Sequence, residues 1–264
     1  MSGKKREYLN LKTIAIFTAI FLVGFYSCIV IDSARAKDDI DMINHEKYAV
    51  SANLEDYYID SPSSVRINLP AVNENNTGVT AYLEVKVMPG SGLVLMNLGN
   101  IISRFDTQES MRSAAEIASA YTNKSIDNVD IIYNLVAYAS MLEGPSAGAA
   151  FAVATVLALE DEKINDKVMI TGTINHDFTI GPAGRIKAKA AAAKEAGSEI
   201  FLVPAGESYE YNETEYCSDY GIFKKYCQNE YVPVKIGDVV NISVVEVYTL
   251  DDAVGYFRLG QKTV

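Results

Sequence analysis

Apolar and polar residues alternate over residues 64–70 and 79–88, the second containing AYLEVKVM, and both stretches predict strands. Pro89-Gly90-Ser91-Gly92 predicts a turn, after which residues 93–98 return as a strand and complete a hairpin. Asp106-Thr107-Gln108-Glu109 has the form of a capping box, with Asp106 as N-cap and Glu109 at the third helical position. The apolar period that follows predicts a helix to about Tyr121. Residues 129–138 (VDIIYNLVAY) are rich in β-branched and aromatic types and predict another strand.

Residues 146–160 (SAGAAFAVATVLALE) predict a helix of small residues, with Pro145 just ahead of it, where a missing N–H costs nothing. Residues 167–174 predict a strand, and a short strand at 178–180 sits in the turn-rich connection to Gly184. A helix is predicted over residues 185–196 (RIKAKAAAAKEA), ending at Gly197. Residues 199–203 form a strand stopped by Pro204. Residues 206–238 are polar and Tyr-rich and read as an excursion from the core. A last strand (239–248) and a last helix (251–259, capped near Asp251) close the pattern. Strands and helices mix without a strict βαβ rhythm, so the predicted class is α+β.

The N-terminal region follows a different rule. Residues 13–31 (TIAIFTAIFLVGFYSCIVI) carry no charge and approach the ~20 residues a helix needs to cross a bilayer. Lys4, Lys5, Arg6 and Lys12 precede them. This predicts a cytoplasmic basic tail (1–12), a transmembrane signal anchor (13–31) and a stalk (32–62) that puts residues 63–264 on the extracytoplasmic side of the cell membrane. The rival reading is a signal peptide cleaved after Ala36, where Ala34-Arg35-Ala36 has the A-x-A form, leaving a secreted domain. A cleaved chain would start at Lys37.

Composition narrows the chemistry. Lys plus Arg number 23 and Asp plus Glu 34, a net charge of -11 that disfavours nucleic acid as a partner. With two His and three Cys, a multi-His metal site is not expected, and no metal or cofactor is predicted. His45 falls in the stalk and reads as solvated, and Cys28 lies inside the apolar run. Cys217 and Cys227 fit a loop-closing disulfide in an oxidising compartment, with two free thiols as the alternative. Four N-x-[ST] triplets (Asn75, Asn123, Asn212, Asn241) are compatible with exposure outside the cell.

The informative stretch is Glu143-Gly144-Pro145-Ser146-Ala147-Gly148. A Ser at a helix start is ordinarily an N-cap. Here Gly144 and Gly148 flank it, so another backbone can approach its hydroxyl, and the helix N-terminus offers N–H donors for an oxyanion. Such a nucleophile needs a base, and His45, His176 or a lysine can supply one. A lysine must be desolvated to lose its proton near neutral pH. Lys189 in R-I-K-A-K-A-A-A-A is the best placed, since Ile186, Ala190 and Ala193 share its helix face or lie beside it. The alanine run would let this helix lie close to the Ser146 helix, with Lys187 and Lys194 turned to solvent. Spacing alone also fits an ordinary surface helix.

E-G-P-S-A-G, M-I-T-G-T-I, G-P-A-G-R-I-K-A-K-A-A-A-A-K-E-A-G and I-F-L-V-P-A, in that order, closely resemble the proteolytic domain of Lon proteases. The upstream V-K-V-M-P-G-S-G-L-V-L-M-N-L-G and Q-E-S-M-R-S-A-A segments are similar too, so the resemblance runs from about residue 79 to 260. It implies a Lon-like fold and a Ser–Lys dyad, with Ser146 as nucleophile and Lys189, the second Lys of K-x-K, as general base. Thr171 in T-G-T matches a Thr implied to orient that Lys. Glu143 stands where the family usually has Asp, and Gly144 and Ala147 are supporting positions.

The resemblance also implies peptide or unfolded-protein substrates and a homo-oligomer, since the relatives act as rings, commonly hexamers. Lon proteases normally carry an ATPase module, and these residues hold no G-x-x-x-x-G-K-[ST] stretch, so ATP-independent cleavage is expected. Residues 206–238 have no counterpart in the family. Two rivals stand beside this reading: a non-catalytic Lon-like domain for peptide binding or envelope assembly, and a Ser–His hydrolase using His176.

Overall fold

The structure is a computed structural model that describes residues 54–99, 102–103, 105–137, 141–142, 145–219 and 225–259. The predicted anchor at 13–31, Cys28, His45, Glu143 and Gly144 lie outside the described residues. Among the described residues no helix is long and apolar enough to cross a membrane.

The elements run β1 (Ser63–Val72), β2 (Gly78–Pro89), β3 (Val94–Asn97), β4 (Ile102–Ser103), α1 (Phe105–Thr122), β5 (Val129–Ala137) and β6 (Met141–Leu142). A 3-10 turn (Pro145–Ala147) leads into α2 (Gly148–Glu160), followed by β7 (Val168–Ile170), β8 (Thr173–Ile174), β9 (Ile180–Gly181), α3 (Ile186–Glu195) and β10 (Ile200–Pro204). Then come β11 (Tyr209–Asp219), β12 (Lys225–Lys235), α4 (Ile236–Val240), β13 (Ser243–Val247) and α5 (Leu250–Phe257).

Two sheets form the frame. The first has the order β1-β2-β5-β3, and the second is a parallel sheet ordered β13-β10-β7. The α+β expectation describes the first half, where β1, β2 and β5 run antiparallel. The second half contains a βαβ unit, β7–α3–β10, that the sequence reading missed. In β1 and β2 the alternation works as expected: Val65, Ile67, Leu69, Leu83, Val85 and Val87 are buried, and the residues between them face outward.

The hairpin predicted over residues 79–98 does not form. β5 lies between β2 and β3, antiparallel to β2 and parallel to β3. The Asp130 carboxylate on β5 accepts the N–H groups of Ser91 and Leu93 at 2.8 and 3.0 Å, which draws the chain leaving β2 across β5. The hairpin that does form is β1–β2, closed by the Asn73 side chain accepting from the N–H groups of Asn75 and Thr77. Alternation fixes which face of a strand is buried but not which strand is its neighbour.

α2 is buried from Gly148 to Leu159, as befits a helix that is apolar all round. Its one polar interior group, the Thr155 hydroxyl, lies 2.7 Å from both the Phe151 carbonyl and the Tyr133 hydroxyl. At its far end the Leu159 carbonyl accepts from Lys124 Nζ and Tyr57 OH, and Arg258 pairs with Glu160 and Glu162. Tyr57 and Ile59 thus pack on the domain, and Glu55 bridges Lys124. The C-terminal end of the predicted stalk therefore belongs to the folded unit.

Smaller departures have local causes. α1 begins at Phe105, so Asp106 lies inside its first turn and accepts from the Thr107 N–H. α5 is capped by Thr249, whose hydroxyl makes a capping box with Asp252, where the sequence reading placed the cap near Asp251. The first residues of the predicted last strand form the end of helix α4 instead. The excursion at 206–238 is an antiparallel hairpin, β11–β12, exposed along nearly its whole length. Cys217 and Cys227 face each other across it and are disulfide-bonded.

Candidate active site

Four connections converge on one cleft. Ser146 sits in the 3-10 turn ahead of α2 and is half-buried. The N-cap of α2 is Ala147, which makes no side-chain cap bond, so the Ser146 hydroxyl is not spent as a cap. Thr171 follows β7, where Gly172, at φ +151°, breaks the predicted 167–174 strand into β7 and β8. Only glycine adopts that conformation readily. The break lets Gly172 donate its N–H to the Ser146 carbonyl at 2.8 Å and accept from the Ala149 N–H at 2.9 Å. Both ends of the serine turn are thereby tied to the end of the parallel sheet.

Lys189 is carried by α3. Ile186, Lys189, Ala190, Ala192 and Ala193 form its buried face, while Lys187 and Lys194 face solvent, as the pattern predicted. The alanines serve a different neighbour from the one expected. α3 packs on β1, β2, β10 and α4, and a Cβ on Gly78 would meet the Ala188 carbonyl oxygen at 2.0 Å. The close approach is therefore between α3 and the start of β2, and the lysine reaches the serine by its own length.

Lys189 Nζ lies 2.8 Å from Ser146 Oγ and 3.0 Å from Thr171 Oγ1. Thr171 Oγ1 donates to the Ser146 carbonyl at 3.1 Å, and the Thr171 N–H donates to the Leu202 carbonyl at 3.0 Å. One hydroxyl thus accepts from the amine and donates to the serine backbone, which uses its capacity without conflict. Lys189 is 6% exposed and Thr171 is 1% exposed. Burial pushes the Lys189 amine down from 10.5 to about 8; the negative charge of Glu207 opposes the shift and the positive charge of Arg185 adds to it.

The cleft around these groups holds about 700 Å³ and is lined by residues 69–74 of β1 and its turn, Asp106 and Thr107 of α1, Pro145–Ala147, Thr173, 182–185 and Lys189. It opens beside the C-terminal end of β7, the end of a parallel strand where ligands sit in open α/β sheets as a rule. His176 is exposed in the β8–β9 turn and does not line the cleft. Glu215, Cys217 and Cys227 are the one group among the described residues close enough to share a cation, and both sulfurs are spent in the disulfide.

The sequence reading missed Glu207 and Arg185 as neighbours of the amine. Glu207 follows the strand ending at Pro204, and no spacing rule links it to a lysine 18 residues upstream. Its effect on the amine is through its charge, and the fold rather than chain proximity brings the two near.

Residues 71–216 match the family model of the Lon protease (S16) C-terminal proteolytic domain. Among similar proteins, the archaeal Lon protease of Methanothermobacter thermautotrophicus is 26% identical over 82% of this chain and 33% of its own length. That of Thermoplasma acidophilum is 29% identical over 64% of this chain and 25% of its own. Lon protease 2 of Thermus thermophilus is 31% identical over 48% of this chain and 16% of its own. The chain therefore spans a third or less of the length of these relatives. The matched region holds Ser146, Thr171, Lys189 and most of the cleft lining, and on that match the chain belongs to the Lon protease (S16) C-terminal proteolytic domain family.

Proposed function

We propose that this domain is a serine peptidase that cleaves peptides or unfolded chains through a Ser146–Lys189 dyad. The carrying observation is the 2.8 Å approach of a buried amine to a serine oxygen inside a cleft. In the neutral form Nζ accepts the Ser146 hydroxyl proton as Oγ bonds to the scissile carbonyl carbon. The carbonyl π pair moves to oxygen, and backbone N–H groups beside Ser146 at the start of α2 stabilise that oxyanion. Ala149 is not among these donors, since its N–H is bound to Gly172. The Lys189 ammonium then gives its proton to the leaving amine as the C–N bond breaks. Water, deprotonated by the same amine, releases the acyl group and restores Ser146. Thr171 keeps the amine aimed by accepting one of its N–H groups.

The reaction is proposed to need no ATP, because acyl transfer to Ser146 and hydrolysis of the acyl group consume none. We also propose that residues 13–31 anchor the domain at the outer face of a membrane and that it works as a homo-oligomer. The test is turnover of casein and of an end-blocked peptide, with and without ATP, by wild type, Ser146→Ala and Lys189→Ala. Each variant should lose cleavage, and a serine-directed phosphonate should label wild type at Ser146. Retained cleavage in either variant refutes the dyad, and a wild type inert on every substrate favours the peptide-binding alternative.

A further inference from the structure

The turn that follows β10 touches the loop that precedes the lysine helix. The Glu207 N–H donates to the Pro204 carbonyl at 3.1 Å, which fixes the residue at the end of the central parallel strand. Its carboxylate accepts the Ala183 N–H through both oxygens, at 3.1 and 3.2 Å. Ala183 lies in the 182–185 stretch that lines the cleft and leads into α3 through Arg185, whose φ is +60°. A non-glycine residue in that conformation persists only where its surroundings hold it. The Arg185 carbonyl accepts from the Lys189 N–H at 3.1 Å, so the position of this loop is passed to the first turn of α3. Glu207 also stands two residues before β11, and Glu210 of that strand pairs with Lys187 of α3 at 2.8 Å. The root of the exposed hairpin is thus held to the lysine helix at two points.

We propose that Glu207 is a positioning residue of this peptidase site: it clamps the loop ahead of α3 and, through its carboxylate on the Ala183 N–H, sets one negative charge at the cleft wall that carries Lys189. The proposal rests on the dyad reading and adds to it a residue that touches no substrate. Among the described residues, the other charged groups that act on the amine or line the cleft are Arg185, which opposes Glu207, and Asp106 and Glu74 on the cleft walls. The two roles of Glu207 separate by substitution. Gln keeps an acceptor for the Ala183 N–H and removes the charge, whereas Ala removes both.

The experiment follows the Lys189 side chain by NMR through a pH titration, its resonance assigned by its loss in Lys189→Met. The same proteins are assayed for the pH profile of kcat/KM on an end-blocked peptide. Loss of one nearby charge in Glu207→Gln should move the Lys189 midpoint down by about half a unit, so turnover at pH 7 rises about threefold. The high-pH plateau of Glu207→Gln should stay within about twofold of wild type, while that of Glu207→Ala falls roughly tenfold as the loop loosens. Glu207→Asp keeps the charge, so its midpoint should stay within about 0.2 unit of wild type. An unchanged midpoint in Glu207→Gln overturns the electrostatic role, and equal plateaus in Gln and Ala overturn the clamp. A wild type without peptidase activity sinks the dyad reading, yet the NMR midpoints still decide whether Glu207 acts on Lys189.

Discussion

Raising the pH from 7 to 9 is expected to increase kcat/KM about tenfold, because only neutral Lys189 can take the Ser146 proton. With the amine held at about 8, roughly one molecule in eleven carries a neutral lysine at pH 7 and about ten in eleven at pH 9. Burial does most of this: lowering the amine from 10.5 to about 8 corresponds to about 3 kcal/mol of destabilised ammonium. In water the neutral fraction at pH 7 would be about 300-fold smaller, far too little for the two hydroxyl contacts at 2.8 and 3.0 Å to offset. The assay is steady-state hydrolysis of an end-blocked peptide without ionisable side chains, from pH 6 to 9.5 at constant ionic strength. His176→Ala runs as a control. A profile flat from pH 6.5 to 9, or a pH dependence that vanishes in His176→Ala, would refute the lysine base.

The same burial makes a stability prediction. Below about 8 both folded and unfolded states hold a protonated Lys189, and the native state bears the full cost of its burial. That cost is relieved as pH rises from 8 to 10.5, so Lys189→Met should be more stable than wild type at pH 6.5 by up to about 3 kcal/mol, and should lose that advantage by pH 10.5 in urea melts. An advantage that does not change with pH contradicts the buried ammonium. Thr171→Val keeps the shape but removes the acceptor for Lys189 and the donor to the Ser146 carbonyl, so kcat/KM should fall roughly 10- to 100-fold. Single-turnover kinetics would show whether the loss is in the acylation step. Replacing Cys217 and Cys227 together by Ser should loosen the hairpin by about 2 kcal/mol of cross-link entropy, read by protease nicking between β11 and β12. Peptide turnover should change less than about twofold, because the cystine lies on the exposed hairpin away from the cleft.

What the sequence determined is whatever depends on residues close together in the chain. The period of 186–195 put Lys189 on the buried face of its helix, and G-P-S-A-G put Ser146 on a tight turn at a helix start. Tyr-rich polarity marked the hairpin as an excursion, and the order of the quoted motifs carried the Lon-like reading of the domain. Tertiary structure alone decided the partners. β3 could pair with β2 or β5 on alternation alone, and the Asp130 carboxylate and the length of the turn chose β5. The alanines of α3 could have met α2, and the gap at Gly78 turned them to β2. Glu207 is 18 positions from Lys189 and 24 from Ala183 in sequence, and only the packed fold sets its carboxylate on the Ala183 N–H and its charge near the amine. The 43 positions between Ser146 and Lys189 are closed to 2.8 Å in the same way. Local patterns record which side of an element is buried, because burial acts residue by residue along one strand or helix. They do not record which surface comes to cover it, because many apolar faces compete for each contact and only the packed whole selects one.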